Sequence, residues 1–166
     1  MAHGVVRTDL LAGTDVRSQL VSVRYQPSDT ATDIDNGNVV LIGDLEDGSR
    51  TVHKGGTPAA NSDLGAIALV ASPEVMYDDR KKALEDYYNE AGKISRGYFL
   101  HKEDIFSVTI DALDAASTPE VGNVVELQAG TKLKVVSSAT SGSTTVGEII
   151  DINVVGRLTF YVVKVQ

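Results

Sequence analysis

Apolar and polar residues alternate along two well-separated stretches of this chain. Residues 105–110 follow the alternation, and so do residues 21–25, where Pro27 ends it. Side chains on a strand point to opposite faces in turn, so this spacing predicts strands with one buried and one solvated face. Because proline cannot donate to a ladder, the first strand must end near Tyr25 or lie at an edge.

Two continuous apolar runs, residues 39–42 and 66–71, predict strands that are covered on both faces. Asn36-Gly37 and Asp47-Gly48 predict tight turns on either side of the first run. Short strands with glycine punctuation continue to the last residue, which is typical of an all-β barrel or sandwich. The predicted strands of this final third are residues 124–127, 133–136, 146–155 and 158–165.

One segment departs from the β pattern. In residues 79–91 the apolar side chains fall on one helical stripe, and Gly92 is placed to end the helix, so we predict about three helical turns. We therefore expect a mainly β fold, a small β-barrel or sandwich with one short helix. Residues 1–30 are predicted to form an extended N-terminal arm, and residues 31–166 a single β-rich domain.

Composition narrows the class of protein. The chain has 166 residues, a net charge of −8 and no cysteine. The one basic cluster, Arg80-Lys81-Lys82, follows Asp78-Asp79 and predicts a salt-bridged surface, so we expect no nucleic-acid partner. No window approaches the ~20 apolar residues of a membrane span, so we expect a soluble chain without a membrane partner.

The sequence contains few candidates for a metal-binding or catalytic site. Residues 33–37 resemble a calcium loop only in part, because the fifth and sixth positions are Gly37 and Asn38 instead of a ligand and a glycine. The histidines are scattered and offer no zinc-like spacing; they are His3, His53 and His101. Two carboxylate pairs are read as solvated surface; they are Glu85-Asp86 and Glu103-Asp104. We predict no cofactor, no metal site and no enzymatic activity.

Three segments carry a resemblance to a known family. They read YYNEAGK at residues 87–93, SRGYFLHKEDIFSVT at 95–109 and VGRLTFYVVKVQ at 155–166. They resemble segments of the head decoration, or cement, proteins of tailed bacteriophages, small auxiliary proteins that bind the outside of an expanded icosahedral shell and stabilise it. The resemblance covers roughly the C-terminal half, and the N-terminal third has no counterpart.

The resemblance implies a structural virion protein on the capsid surface, synthesised in the host cytoplasm. Its implied partner is the major capsid protein, and it implies a homo-oligomer, either trimer or dimer. We expect the N-terminal arm to dock by strand addition, and its removal over residues 1–20 to spare the barrel but weaken attachment. The arm residues predicted to bind the partner are Val5, Leu10, Leu11, Val16, Leu20, Val21 and Val23.

Two other functions stay open at this point. One is another virion component, a tail or head-fibre part, which would share the β-rich composition. The other is a β-barrel module that binds a small ligand or carbohydrate, since such sites display aromatic platforms. Tyr87, Tyr88 and Tyr98 are the candidate aromatics, although their positions favour packing in the core.

Overall fold

The computed structural model describes residues 2–11, 17–78, 80–81 and 83–166, and the described chain is mainly β, as predicted. Its helical turns are all short 3-10 turns, at Arg17–Gln19, Pro27–Asp29, Leu64–Ala66, Leu84–Asp86 and Ile110–Ala112. The strands are β1 (Val6–Arg7), β2 (Leu20–Tyr25), β3 (Val39–Leu45), β4 (Val52–Gly56), β5 (Ile67–Val70), β6 (Ser95–Phe99), β7 (Ile105–Thr109), β8 (Leu113–Ala115), β9 (Val124–Glu126), β10 (Leu133–Val136), β11 (Thr145–Val155) and β12 (Leu158–Val165).

Five strands close into a barrel in the order β2-β4-β3-β5-β6, with β6 returning to β2. The β2–β4 pair is parallel and the other pairs are antiparallel. The remaining strands form a seven-stranded sheet in the order β1-β7-β12-β11-β9-β10-β8. In this sheet only β8 and β10 run parallel.

The barrel and the sheet pack face to face, which explains the continuous apolar runs. Val40, Ala68 and Val70 point into the barrel, within one apolar cluster. Their neighbours Val39 and Leu69 point outward and join the cluster that also contains the sheet residues. Because successive side chains alternate between two buried compartments, both faces of these strands exclude water.

The connection between β6 and β7 carries the chain from the barrel into the sheet. Tyr98 and Phe106 lie on either side of this connection and are both buried in the cluster shared by the two sheets. Each large apolar side chain buried in this way contributes about 1.5–3 kcal/mol. This short junction is therefore also an anchor of the core.

The predicted helix at residues 79–91 is wrong for the described part of that segment. Only Leu84–Asp86 forms a single 3-10 turn, and Tyr87, which follows it, has extended backbone. Asn89 then forms an isolated antiparallel bridge with Ile34. Long-range contacts instead hold this segment, since the carbonyl of Glu85 accepts from the backbone N–H of His3 and Asn89 bridges to Ile34. Such tertiary contacts outweigh a weak local preference for helix.

The N-terminal region has extended stretches, as predicted, but its described residues do not form a free arm. Strand β1 pairs with β7, and Val6 and Leu11 belong to the shared core. Strand β2 is paired on both sides within the barrel and is not an edge strand, although it ends at Tyr25 as expected. Deleting residues 1–20 would therefore remove core side chains, contrary to the expectation of an intact fold.

Candidate docking surface

A shallow apolar groove of about 380 Å³ lies where four separate parts of the chain meet. The N-terminal segment with β1 forms one side, and the β11–β12 hairpin forms another. The loop after β5 and the 3-10 turn Leu84–Asp86 complete it. The residues of this apolar groove are Val5, Val6, Arg7, Glu74, Leu84, Val155, Leu158 and Phe160.

The hairpin part of the groove follows from a tight turn. Val155 and Leu158 are register partners, so Gly156 and Arg157 form a two-residue turn. Gly156 has φ 63°. A positive φ at the first central residue is typical of two-residue hairpin turns, whose backbone twist matches that of the flanking strands. Val155 beside this turn is 53% exposed, and Leu84, another residue of the groove, is 49% exposed. Two large apolar side chains are therefore presented to solvent at one site.

Charged groups fix the rim of the groove. Arg157 Nη2 lies 3.0 Å from Glu85 Oε1, which ties the hairpin turn to the 3-10 turn. The backbone N–H of His3 donates to the carbonyl of Glu85 at 3.0 Å. The Arg7 guanidinium lies 5.6 Å from the ring centroid of the buried Phe160. The floor is therefore apolar and the rim carries both signs of charge.

A second concavity, the tyrosine groove, has a volume of about 490 Å³ and contains Tyr77, Tyr87, Tyr88, Lys81, Glu90 and Lys93 among its lining residues. Tyr77 is 94% exposed. The ring of Tyr88 stacks on His3 and lies 4.7 Å from the Lys81 ammonium. Burial raises the pKa of Tyr87, aided by the nearby carboxylates of Glu74 and Glu90 and opposed by a hydrogen bond with Ser72.

The prediction that the tyrosines pack in the core is confirmed for Tyr98 alone. Tyr98 is buried between the barrel and the sheet. Tyr87 and Tyr88 are half-buried and line the tyrosine groove, because the segment carrying them is not the predicted helix. An aromatic surface is consequently present where the sequence pattern had assigned interior packing.

The structure separates the predicted partner-binding residues instead of grouping them. Most of their side chains are committed to the fold and are unavailable to a partner, and Val5 alone of the set lines the apolar groove. Leu10 is 61% exposed, Leu20 is half-buried, and Val16 lies outside the described residues. The buried members are Val5, Leu11, Val21 and Val23.

The two acids of the predicted surface pair Glu103-Asp104 differ in burial. Glu103 is exposed, and the ammonium of Lys164 holds the pKa of its carboxyl below the usual value through a hydrogen bond. Asp104 is buried, and its Oδ2 accepts from the backbone N–H of His101 at 2.9 Å. The two adjacent acids therefore lie in different environments, and the prediction that both are solvated is wrong for Asp104.

The histidines do not converge. His3 Nδ1 lies 2.7 Å from Asp35 Oδ1, and His53 Nδ1 lies 2.9 Å from the carbonyl of Gly43. His101 is exposed in the turn before β7. Within the described ranges, no group of three or more histidines and carboxylates is arranged to hold a metal ion.

The most connected polar site was missed by sequence reasoning. The Asn36 amide accepts from Ser72 N–H at 3.0 Å and donates to the Ser72 carbonyl at 2.9 Å. The Asn89 amide donates to Asn36 Oδ1 and to the carbonyl of Ile34, both at 3.1 Å. These contacts join residues more than thirty positions apart, so the local Asn36-Gly37 turn signal gives no hint of them.

Comparison with protein-family models, curated proteins and solved structures gives no match. No helix in the described part of the chain is long and apolar enough to cross a membrane.

Proposed function

We propose that this chain is a capsid decoration protein that binds the outer surface of a tailed-bacteriophage shell. The observation that carries the proposal is the pairing of two of the segments that resemble this family, residues 95–109 and 155–166. Strand β6 leads directly into β7, and β7 pairs with the terminal strand β12 over Ile105–Thr109. Segments distant in sequence therefore form one contiguous unit, which supports treating their resemblance as a single feature.

The apolar groove is the docking element of this proposal, in place of the N-terminal arm. Leu84 and Val155 offer exposed apolar surface between charged rim groups, the composition of a small interface with an apolar centre and a polar rim. The net charge of −8 favours a basic patch on the shell. A repeated lattice then raises the overall avidity by multivalent contact when the protein is an oligomer.

Co-sedimentation tests this assignment. The purified chain is mixed with expanded shells built from the major capsid protein of the same genome and lacking this protein. We expect binding at a fixed stoichiometry, and at least a tenfold loss of affinity for Leu84→Asp, because a carboxylate would be desolvated at the contact. The matched control is Ile94→Asp, which alters a residue of similar exposure, 52%, outside the apolar groove.

Wild-type protein that stays in the supernatant would contradict the capsid assignment. Equal binding by wild type and Leu84→Asp would contradict the groove as docking element while leaving the capsid assignment in place. A tail or head-fibre position, the other structural role, is distinguished by electron microscopy of labelled virions. If the label lies on the tail or the head fibre instead of the shell, the result supports the tail or head-fibre role.

The tyrosine groove favours a second candidate function, binding of a carbohydrate. Tyr77 is nearly fully exposed beside the half-buried Tyr87, and aromatic side chains can stack on the apolar face of a sugar ring. Glu90 and Lys93 at the same groove supply hydrogen-bonding groups. A glycan array probed with the wild type and Tyr77→Ala tests this function: binding lost in the variant supports it, and an array without any signal contradicts it.

A further inference from the structure

Strand β11 extends beyond the strands that cover one of its sides. β9 pairs with β11 only from Thr145 to Glu148, whereas β12 pairs with the other side as far as Val155. The contacts of Ile149 with Gly122 and Asn123 are the last backbone bonds on the β9 side. Among the described residues, no strand pairs with that side of β11 over residues 150–155.

The backbone groups along this edge can be assigned from the hairpin. Val155 and Leu158 flank the two-residue turn and form a hydrogen-bonded pair, and such pairs alternate with non-bonded pairs along an antiparallel ladder. Asn153 and Val155 therefore direct their N–H and C=O groups toward β12. Ile152 and Val154 direct theirs to the free edge, where they are available to another strand.

Lysine and proline, which commonly blunt edge strands, do not occur in residues 150–155. The register shift between Ile149 and Asp151 and the charge of Asp151 protect the start of this edge, and no such feature follows from Ile152 to Val155. Instead Val154 is 72% exposed and Ile150 is 41% exposed. Long, apolar and unpaired edges of this kind are templates for a further strand.

The pattern of the edge is symmetrical about Ile152. On each side of Ile152 the sequence has first a polar residue, Asp151 or Asn153, and then an apolar one, Ile150 or Val154. An antiparallel copy of the same strand, related by a two-fold axis at Ile152, would therefore match apolar with apolar and polar with polar positions. It would also place each Asp151 opposite an amide and not opposite another carboxylate.

We propose that the free edge of β11 pairs antiparallel with the β11 edge of a second copy of this chain, with the two-fold axis at Ile152. Ile150 then lies opposite Val154 of the partner subunit, and Asp151 opposite Asn153 of the partner subunit. The interface is isologous and joins the two seven-stranded sheets into one continuous sheet. It uses the strand edge and leaves Leu84 of the apolar groove uncommitted.

Cysteine cross-linking tests the register. The chain has no cysteine of its own, so a single introduced thiol has no background. Two Ile152 positions in a hydrogen-bonded pair would have Cα atoms about 5.5 Å apart, within the range of about 4.4–6.8 Å for a disulfide. Two Val154 positions would be roughly 13 Å apart, four residues along the strand direction, and too far to bridge.

Oxidation of Ile152→Cys should therefore give a disulfide-linked dimer on a non-reducing gel, while Val154→Cys should stay monomeric on that gel. Absence of the Ile152→Cys dimer, or equal cross-linking of both variants, would overturn the proposed register.

Sedimentation velocity over a range of protein concentrations tests the backbone pairing. The wild type should form a dimer, and Val154→Pro should weaken it at least about tenfold, because each copy loses an edge N–H donor. Proline is tolerated where the N–H faces solvent, so the hairpin should fold normally, which a thermal melt checks. Ile94→Lys, an exposed change far from the edge in sequence, should dimerise like the wild type.

A wild type that stays monomeric at every concentration, or an unchanged dimer in a folded Val154→Pro variant, would refute the edge pairing. The proposal is independent of capsid docking, since the assay contains no shells and the Leu84→Asp variant should dimerise normally.

Discussion

The Lys134 ammonium lies 3.1 Å from Glu126 Oε1, and the two residues are direct cross-strand neighbours on β10 and β9. The Glu126 side chain has no solvent exposure, whereas Lys134 is partly exposed. The other carboxylate oxygen of Glu126 accepts from the backbone N–H of Thr140 at 2.9 Å. A buried charge therefore fastens the loop between β10 and β11 to the sheet.

Replacing Glu126 by alanine should destabilise the fold. The change leaves the Thr140 N–H without its acceptor and removes a charge-assisted bond, at a cost of about 1–3 kcal/mol. Lys134→Met should also destabilise the fold, because the buried Glu126 carboxylate keeps its bond to Thr140 but loses its counter-ion. Urea denaturation measures both. Equal midpoints for Glu126→Ala and the wild type would contradict the structural role of the buried carboxylate.

Glu126 should also make stability depend on pH. Burial acts to raise the pKa of Glu126, but hydrogen bonds from Thr140 and Lys134 outweigh it and hold the pKa below the ordinary value of 4.5. A carboxyl whose pKa is lower in the folded state stabilises that state above the unfolded pKa, and this contribution is lost as pH falls through the folded pKa.

The free energy of unfolding should thus differ most between wild type and Glu126→Gln at neutral pH. The difference should shrink progressively below pH 4.5. Glu103, whose pKa is also lowered, is present in both proteins and cancels from the comparison. A difference that stayed constant from neutral pH into the acid range would contradict the ionised, hydrogen-bonded state of Glu126.

The Asn36 amide should be sensitive to replacement. Asn36→Ala would leave the buried N–H and C=O of Ser72 without their partners, and each unsatisfied group costs about 1–3 kcal/mol. Asn61→Ala, which alters an exposed asparagine in the loop before β5, should change stability by less than about 0.5 kcal/mol. Thermal melts of the two variants compare them directly, and similar melting temperatures would count against the buried network.

Gly147 should not accept a side chain. A Cβ there would meet the Lys164 carbonyl oxygen on β12, next to Val165, which is the register partner of Gly147. Gly147→Ala should therefore cost about 1–3 kcal/mol through overpacking. Gly56→Ala is the matched strand control, since its nearest contact would be the Leu41 carbonyl at 3.9 Å. Chemical denaturation that ranked Gly56→Ala as the worse variant would contradict this packing.

Strand positions were largely predictable, because burial at every second residue is a local signal. The pattern at residues 105–110 and the apolar runs at 39–42 and 66–71 correspond to β7, β3 and β5. Strand pairing was less accessible to prediction. No strand was predicted between residues 110 and 124, yet β8 lies there and pairs in parallel with β10, a contact decided by partners far along the chain.

The functional surfaces could not be predicted for a related reason. Val5 and Leu11 sit in a polar N-terminal sequence with no recognisable period, so their burial depends on the sheet they pack against. The apolar groove joins Leu84 to Val155, residues that no local pattern connects. Only the hairpin carrying Val155 was predicted beforehand, from the two strands expected at residues 146–155 and 158–165.

Cryo-electron microscopy of expanded shells, prepared with and without this chain, tests the capsid assignment most directly. The shells are assembled from the major capsid protein of the same genome and incubated with purified protein. The account predicts additional density at repeated lattice positions on the outer surface, with the apolar groove facing the shell. Identical maps with and without the protein, despite an excess of folded chain, would contradict it.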